Sequence, residues 1–119
     1  MKILNLSNHR LTEAQEKELK EVLEFEEIVE LDEEDKKAWG QLNPGNYKKI
    51  VKEIMDKYDV VAYHVAGFAP AVVDVVKIAE DIMRPCYYAY SERKTIEKEN
   101  KDGTVTKTAI FEHKGFYLY

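Results

Sequence analysis

Cysteine is nearly absent from this sequence, proline and glycine are scarce, and no long apolar run occurs. A single cysteine in 119 residues, Cys86, excludes an internal disulfide framework and implies a reducing, cytoplasmic setting. The three histidines are far apart and far from that cysteine, which argues against a structural zinc site. With three prolines and five glycines, no low-complexity linker divides the chain. No apolar stretch approaches the ~18–20 residues that a membrane helix needs. The opening Met1-Lys2-Ile3-Leu4-Asn5-Leu6 is too short for a signal-peptide core and reads as a strand. Gly-x-Gly-x-x-Gly and P-loop patterns are missing, which excludes those phosphate cradles. Gly-x-Ser-x-Gly is missing as well, and the third strand ends in His64-Val65-Ala66 where a phosphoacceptor domain would need an aspartate. Eighteen Lys and Arg against 23 Asp and Glu give a net charge of −5, which argues against a general binder of duplex DNA.

What is present suits a compact globule. Hydrophobic residues make up 45% and charged residues 34%, and a chain this long buries roughly two-thirds of its unfolded surface around one core. One domain over residues 1–119 is expected. The charge is uneven. Twelve acidic residues between Glu13 and Asp35 face only Lys17 and Lys20, the pattern of a solvated face, while the segment from Arg84 onward is mildly basic.

Ile3, Leu4 and Leu6 mark a buried strand over Lys2–Ser7. Thr12-Glu13-Ala14-Gln15 is a capping box, and Leu11, Gln15, Leu19, Val22 and Leu23 carry a helix to about Leu23. Glu27–Leu31 is a second strand, and Asp32 caps a short helix through Trp39. A longer helix covers about Asn46–Tyr58, with Tyr47, Ile50, Val51, Ile54 and Met55 on one face. Asp59–Val65 is the strongest strand. Pro70 opens a helix to about Met83, apolar enough around its circumference to be well buried. Cys86–Glu99 and Thr104–Leu118 are β-prone runs joined through Asp102-Gly103, a hairpin signal.

Strands that alternate with helices form a mostly parallel sheet with helices on both faces. The expected fold is α/β: a small Rossmann-like three-layer domain closed by a C-terminal antiparallel β-hairpin. If Asp102-Gly103 is a two-residue turn, Lys101 pairs with Thr104, Glu92 faces His113, and Arg93 faces Glu112. Residues 94–111 then project as a ribbon about 25 Å long, which should fold over the ligand edge or onto a second subunit.

Ligands of open parallel sheets bind beyond the carboxyl ends of the strands, where strand order reverses. Three segments should meet there: Ser7-Asn8-His9-Arg10, Ala66-Gly67-Phe68 and Ser91-Glu92-Arg93. Ser7 and Asn8 offer hydrogen bonds to a phosphate, Arg10 and Arg93 offer charge, and Gly67 permits close backbone approach. Each residue also has a purely structural reading. Asn8 can satisfy turn backbone groups, His9 can be an exposed loop histidine, and Gly67 can be a turn glycine. His64 reads as a hydrogen-bonded core histidine, Trp39 as core packing or a lid, and Tyr87, Tyr88 and Tyr90 as edge or interface packing.

The opening Asn5-Leu6-Ser7-Asn8-His9-Arg10-Leu11-Thr12-Glu13-Ala14-Gln15 resembles the start of small CRISPR-associated Rossmann-fold (CARF-like) proteins. So do Trp39 with Pro44, Tyr90-Ser91-Glu92-Arg93, the Asp102-Gly103 hairpin, Lys107, Phe111-Glu112-His113 and the closing Phe116-Tyr117-Leu118-Tyr119. The resemblance implies a role in type III CRISPR immunity: a homodimer that binds cyclic tetra-adenylate, and a ring nuclease that ends its signal. The implied chemistry needs no metal or cofactor, because a ribose 2′-hydroxyl attacks its own adjacent phosphate. Arg10 and Arg93 would then stabilise charge, and Ser7, Asn8, Gly67, Phe68 and Ser91 would hold the ligand. His9 or His113 would move protons. The rival readings are a binder that holds the messenger uncut and a small α/β protein whose hairpin serves assembly alone.

Overall fold

Ile3, Leu4 and Leu6 are fully buried in β1 (Lys2–Leu6), an interior strand of a five-stranded sheet. The computed structural model describes residues 1–119. Beside β1 run β2 (Glu27–Glu30) and β3 (Ala62–Val65), both parallel to it. β4 (Cys86–Glu99) continues the parallel sheet next to β3, and β5 (Val105–Leu118) returns antiparallel as the edge. The order is β2-β1-β3-β4-β5. The chain moves outward one way from β1 to β2 and the other way from β3, so the reversal lies between β1 and β3. The expected mixed α/β fold with its antiparallel hairpin is the observed one.

The helices form where the sequence caps them. α1 (Glu13–Lys17) begins at Thr12, whose hydroxyl accepts from the Gln15 amide while the Gln15 side chain accepts from the Thr12 amide. It continues as a π-helical turn, Glu18–Val22. That wider turn takes Val22 off the core face, leaving it 70% exposed, while Leu19 stays buried. α2 (Glu33–Gly40) is capped by Asp32, whose carboxylate accepts from the Asp35 amide. α3 (Tyr47–Lys57) buries Val51, Ile54 and Met55, as its periodicity requires.

α4 (Ala69–Asp81) differs from expectation. It buries one stripe only, Ala71, Val75 and Ala79, while Val73 is half-exposed and Ile82 and Met83, just past its end, face solvent. Val72, Val76 and Ile78 flank that stripe, half-buried against the same core, so the helix covers the sheet with one side and leaves the other to solvent.

Two cores result, one on each face of the sheet. Leu4, Leu6, Val51, Ile54, Tyr63 and Val75 belong to one. Ile3, Leu11, Leu19, Phe25, Ala62 and Phe116 form the other. Each fully buried Leu, Ile or Val contributes about 1.5–3 kcal/mol of transfer free energy. No helix is long and apolar enough to cross a membrane.

The hairpin corrects the expected register. Lys101-Asp102-Gly103 is a three-residue loop: the Gly103 amide donates to the Asn100 carbonyl, Gly103 has φ +85°, and the Asn100 amide donates to Thr104. A left-handed glycine closing such a loop is the usual alternative to a two-residue turn. Arg93 therefore lies opposite Phe111, and Glu92 opposite Glu112. A bulge between Tyr90 and Ser91 then restores the expected pairing at the base, where Tyr88 meets Tyr117. β4 pairs with β3 only at Cys86 and Tyr87, so the remainder of the hairpin extends past the sheet and is largely exposed.

Candidate functional site

The carboxyl ends of β1 and β3 open into a cavity of about 700 Å³. One residue from each expected segment reaches it: His9 after β1, Ala66 after β3 and Ser91 on β4. Its walls are mostly apolar or aromatic, with Leu11, Tyr88, Phe111 and Tyr119 around Gln15 and His64. A smaller cavity of about 330 Å³ adjoins it through the shared His9 and Ala66, and contains Asn8, Trp39, Gly67 and Phe68.

A polar network centred on the buried Asn5, Ser7 and His64 lies behind the larger cavity, with the exposed Glu30 and the His9 loop at its rim. Asn5 and His64 are register partners on β1 and β3, so their side chains leave the sheet on the same face. Asn5 Nδ2 donates to Glu30 Oε2 and to the His9 carbonyl, both at 3.0 Å. Asn5 Oδ1 accepts from Ser7 Oγ at 2.8 Å and lies 2.9 Å from His64 Nδ1. The His9 amide donates to Ser7 Oγ at 3.2 Å, closing the loop. Burial, reinforced by the nearby His9 and His113, pulls the His64 imidazole down to about 4. It is therefore neutral at pH 7.

The smaller cavity is shaped by Trp39, whose Nε1 donates to the Ala66 carbonyl at 2.9 Å. Gly67 takes φ +147°, and a Cβ there would lie 2.8 Å from Trp39 Nε1. Glycine is required on both counts. With its amide turned to suit its neighbours, Asn8 donates to the Lys36 carbonyl at 2.8 Å and accepts from the Gly40 amide at 3.1 Å. It caps the end of α2 and stands at the smaller cavity.

The expected site residues thus divide. His9 and Ser91 line the larger cavity, and Asn8, Gly67 and Phe68 the smaller. Ser7 is buried, its hydroxyl engaged by Asn5 and His9, so it shapes the loop rather than presenting a donor. Arg10 and Arg93 are exposed, line neither cavity and make no ion pair. Arg93 nevertheless shares its ribbon face with the cavity residues Ser91 and Phe111, whereas Lys94 on the opposite face pairs with Glu112 at 3.1 Å. The expected Arg93–Glu112 pair does not form, because the register shift puts Glu112 between Lys94 and Lys114.

His113 also lies away from both cavities. Its Nε2 is 3.0 Å from Glu18 Oε1 at the π-helical turn, and its Nδ1 is buried without a hydrogen-bond partner. The sequence marks His64 as a core residue, which its burial bears out, but not as part of the cavity wall. The available signal was its pairing with Asn5, a polar residue at the matching position of the neighbouring strand.

Strand order and cavity together define a doubly wound α/β protein of the flavodoxin-like order, with a ligand-sized cavity at its switch point. The chain belongs to the Uncharacterized protein MJ1673 family, whose family model matches residues 1–117. Neither the curated proteins nor the solved structures gave a match.

Proposed function

We propose that the protein binds cyclic tetra-adenylate at the switch-point cavity and cleaves it, acting as a ring nuclease of type III CRISPR signalling in the cytoplasm. The observation that carries this reading is the convergence of His9, Ala66 and Ser91, from three separate segments, on one cavity walled by Tyr88, Phe111 and Tyr119. Aromatic faces stack on bases irrespective of sequence, at about 1–3 kcal/mol per base. The unpaired Arg93 beside Phe111 supplies a guanidinium for a phosphate.

A cavity of about 700 Å³ is of the size that takes one small ligand, so a four-nucleotide ring needs two of them. A symmetric dimer provides the second. β5 leaves a 14-residue strand edge unpaired, with Tyr117 and Leu118 exposed on it, and such an edge suits a second copy.

Cleavage in this reading needs positioning more than reactive groups. A ribose 2′-hydroxyl attacks the adjacent phosphorus in line, leaving a 2′,3′-cyclic phosphate and a free 5′-hydroxyl. The chain's task is to hold that geometry and to offset charge on the phosphate oxygens. The second reading, a protein that holds the ring uncut, is favoured by one observation: no Lys or Arg lines the larger cavity.

Incubation of the full chain with cyclic tetra-adenylate in the presence of a chelator, followed by chromatography, tests the proposal. Linear product ending in a 2′,3′-cyclic phosphate is expected. Tight binding with the ring intact would support the second reading, and neither binding nor cleavage would leave a protein whose hairpin serves assembly.

A further inference from the structure

We infer that His64, fixed by Asn5 and Glu30, is the general base of the cavity, with Nε2 taking the proton of the attacking ribose 2′-hydroxyl. The inference rests on the proposed ring cleavage and names the proton acceptor at that same site.

The donors and acceptors leave a single arrangement. Asn5 Nδ2 faces two acceptors, Glu30 Oε2 and the His9 carbonyl, each at 3.0 Å, so the amide cannot turn over. Its Oδ1 must therefore accept. The group 2.9 Å from that oxygen, His64 Nδ1, has to carry a hydrogen. A neutral imidazole with its proton on Nδ1 has its lone pair on Nε2. No hydrogen bond within the protein uses Nε2, and His64 lines the cavity. Glu30 thus sets the orientation of Asn5, Asn5 sets the tautomer of His64, and the imidazole presents an acceptor to the ligand. Phe116 packs edge-on against the ring at 5.4 Å, which holds its plane.

The titratable groups around His64 are His9 from the loop after β1, His113 from β5, Tyr87 at the paired position of β4, and Glu30 acting through Asn5. Glu18 stands behind His113. Burial with the two histidines keeps the imidazole neutral across the physiological range, so Nε2 presents a free lone pair at neutral pH, while the same lowering makes it a weaker base than a free imidazole.

The 2′-oxygen forms a bond to phosphorus as its proton passes to His64 Nε2. The bond from phosphorus to the 5′-oxygen breaks, and that oxygen takes a proton from water. His64 returns its proton to solvent, and no oxidant, reductant or metal takes part.

The test measures single-turnover cleavage and equilibrium binding of cyclic tetra-adenylate for the full chain and for His64→Gln. General-base removal lowers the rate about a hundred- to a thousandfold. Binding should change by no more than about threefold, because the lost interaction belongs to the transition state. If His64→Gln cleaves at the wild-type rate, the inference is overturned while the proposed function stands. If the wild type does not cleave the ring, whether or not it binds it, the proposed cleavage fails and takes the inference with it. Should His64→Gln not fold, the double variant Asn5→Asp with Glu30→Gln decides. It keeps the shapes, gives up the bond to the His9 carbonyl, places a carboxylate on Nδ1, and should raise the pH at which the rate falls by about one unit or more. An unmoved pH profile overturns the inference.

Discussion

Glu18 holds His113 from the helix packed against β5: its Oε1 lies 3.0 Å from the histidine Nε2, and its Oε2 accepts from the Phe116 amide at 2.7 Å. One carboxylate on the π-helical turn thus ties down the strand that forms both the sheet edge and the ribbon.

Removing that anchor should loosen β5. Glu18→Ala leaves the Phe116 amide and the His113 ring without their partner, at a cost of about 1.5–3 kcal/mol for a charge-assisted bond. Urea unfolding should show this loss, with Glu18→Gln retaining part of it. A midpoint unchanged from wild type would show that the contact carries no stability.

Stability should also depend on pH through His64. Unfolded, this histidine titrates near 6.5; folded, it is pulled down to about 4. Between those values the unfolded chain binds the extra proton, so stability is complete above pH 6.5 and falls as pH drops toward 4. A shift of that size corresponds to roughly 3 kcal/mol at 1.36 kcal/mol per unit. The unfolding free energy of wild type minus that of His64→Gln should fall as pH drops through this window and stay level outside it. A difference independent of pH would contradict the assigned burial.

Gly67→Ala probes the second cavity. The added Cβ meets Trp39 Nε1 at 2.8 Å in a backbone conformation that alanine disfavours, at about 1–3 kcal/mol. Trp39 is the only tryptophan, so its fluorescence reports the change directly. A red shift toward exposed indole is expected, and an unshifted spectrum would mean that the loop adapts without disturbing Trp39.

Much of this arrangement is legible in the sequence, for reasons that are local. The capping box at Thr12 and Gln15 is a short-range pattern, and both of its bonds form. Alternating strand and helix signals are enough to bring Ser7–Arg10, Ala66–Phe68 and Ser91 to one sheet edge. The misreadings are non-local or depend on backbone detail. Asp102-Gly103 suits both a two-residue turn and the end of a three-residue loop, and the difference shifts every pair along the ribbon. The bulge at Tyr90 and Ser91 leaves no mark on the alternation, yet it realigns the base. His113 lies 95 residues from the glutamate that engages it, so nothing near it in the sequence gave its role away. His64 looked like a core residue because it is one by burial, although one side of it borders the cavity.

The ribbon faces give a sharp comparison of neighbours. Arg93 shares a face with Ser91 and Phe111 and has no ion-pair partner, whereas Lys94 is held by Glu112 on the other face. Arg93→Ala should therefore weaken binding of cyclic tetra-adenylate roughly ten- to a hundredfold, the worth of a charge-assisted contact. Lys94→Ala should leave binding almost unchanged. Equal small effects in a binding titration would remove Arg93 from the site.

Calorimetric titration of the full chain with cyclic tetra-adenylate tests the central claim most directly. A two-fold ring held between two switch-point cavities predicts saturation at one ring for every two chains, with binding lost when Phe111 is replaced by alanine. Absence of binding heat at several temperatures, with the ring recovered intact, would contradict the assignment of this cavity to a cyclic oligoadenylate.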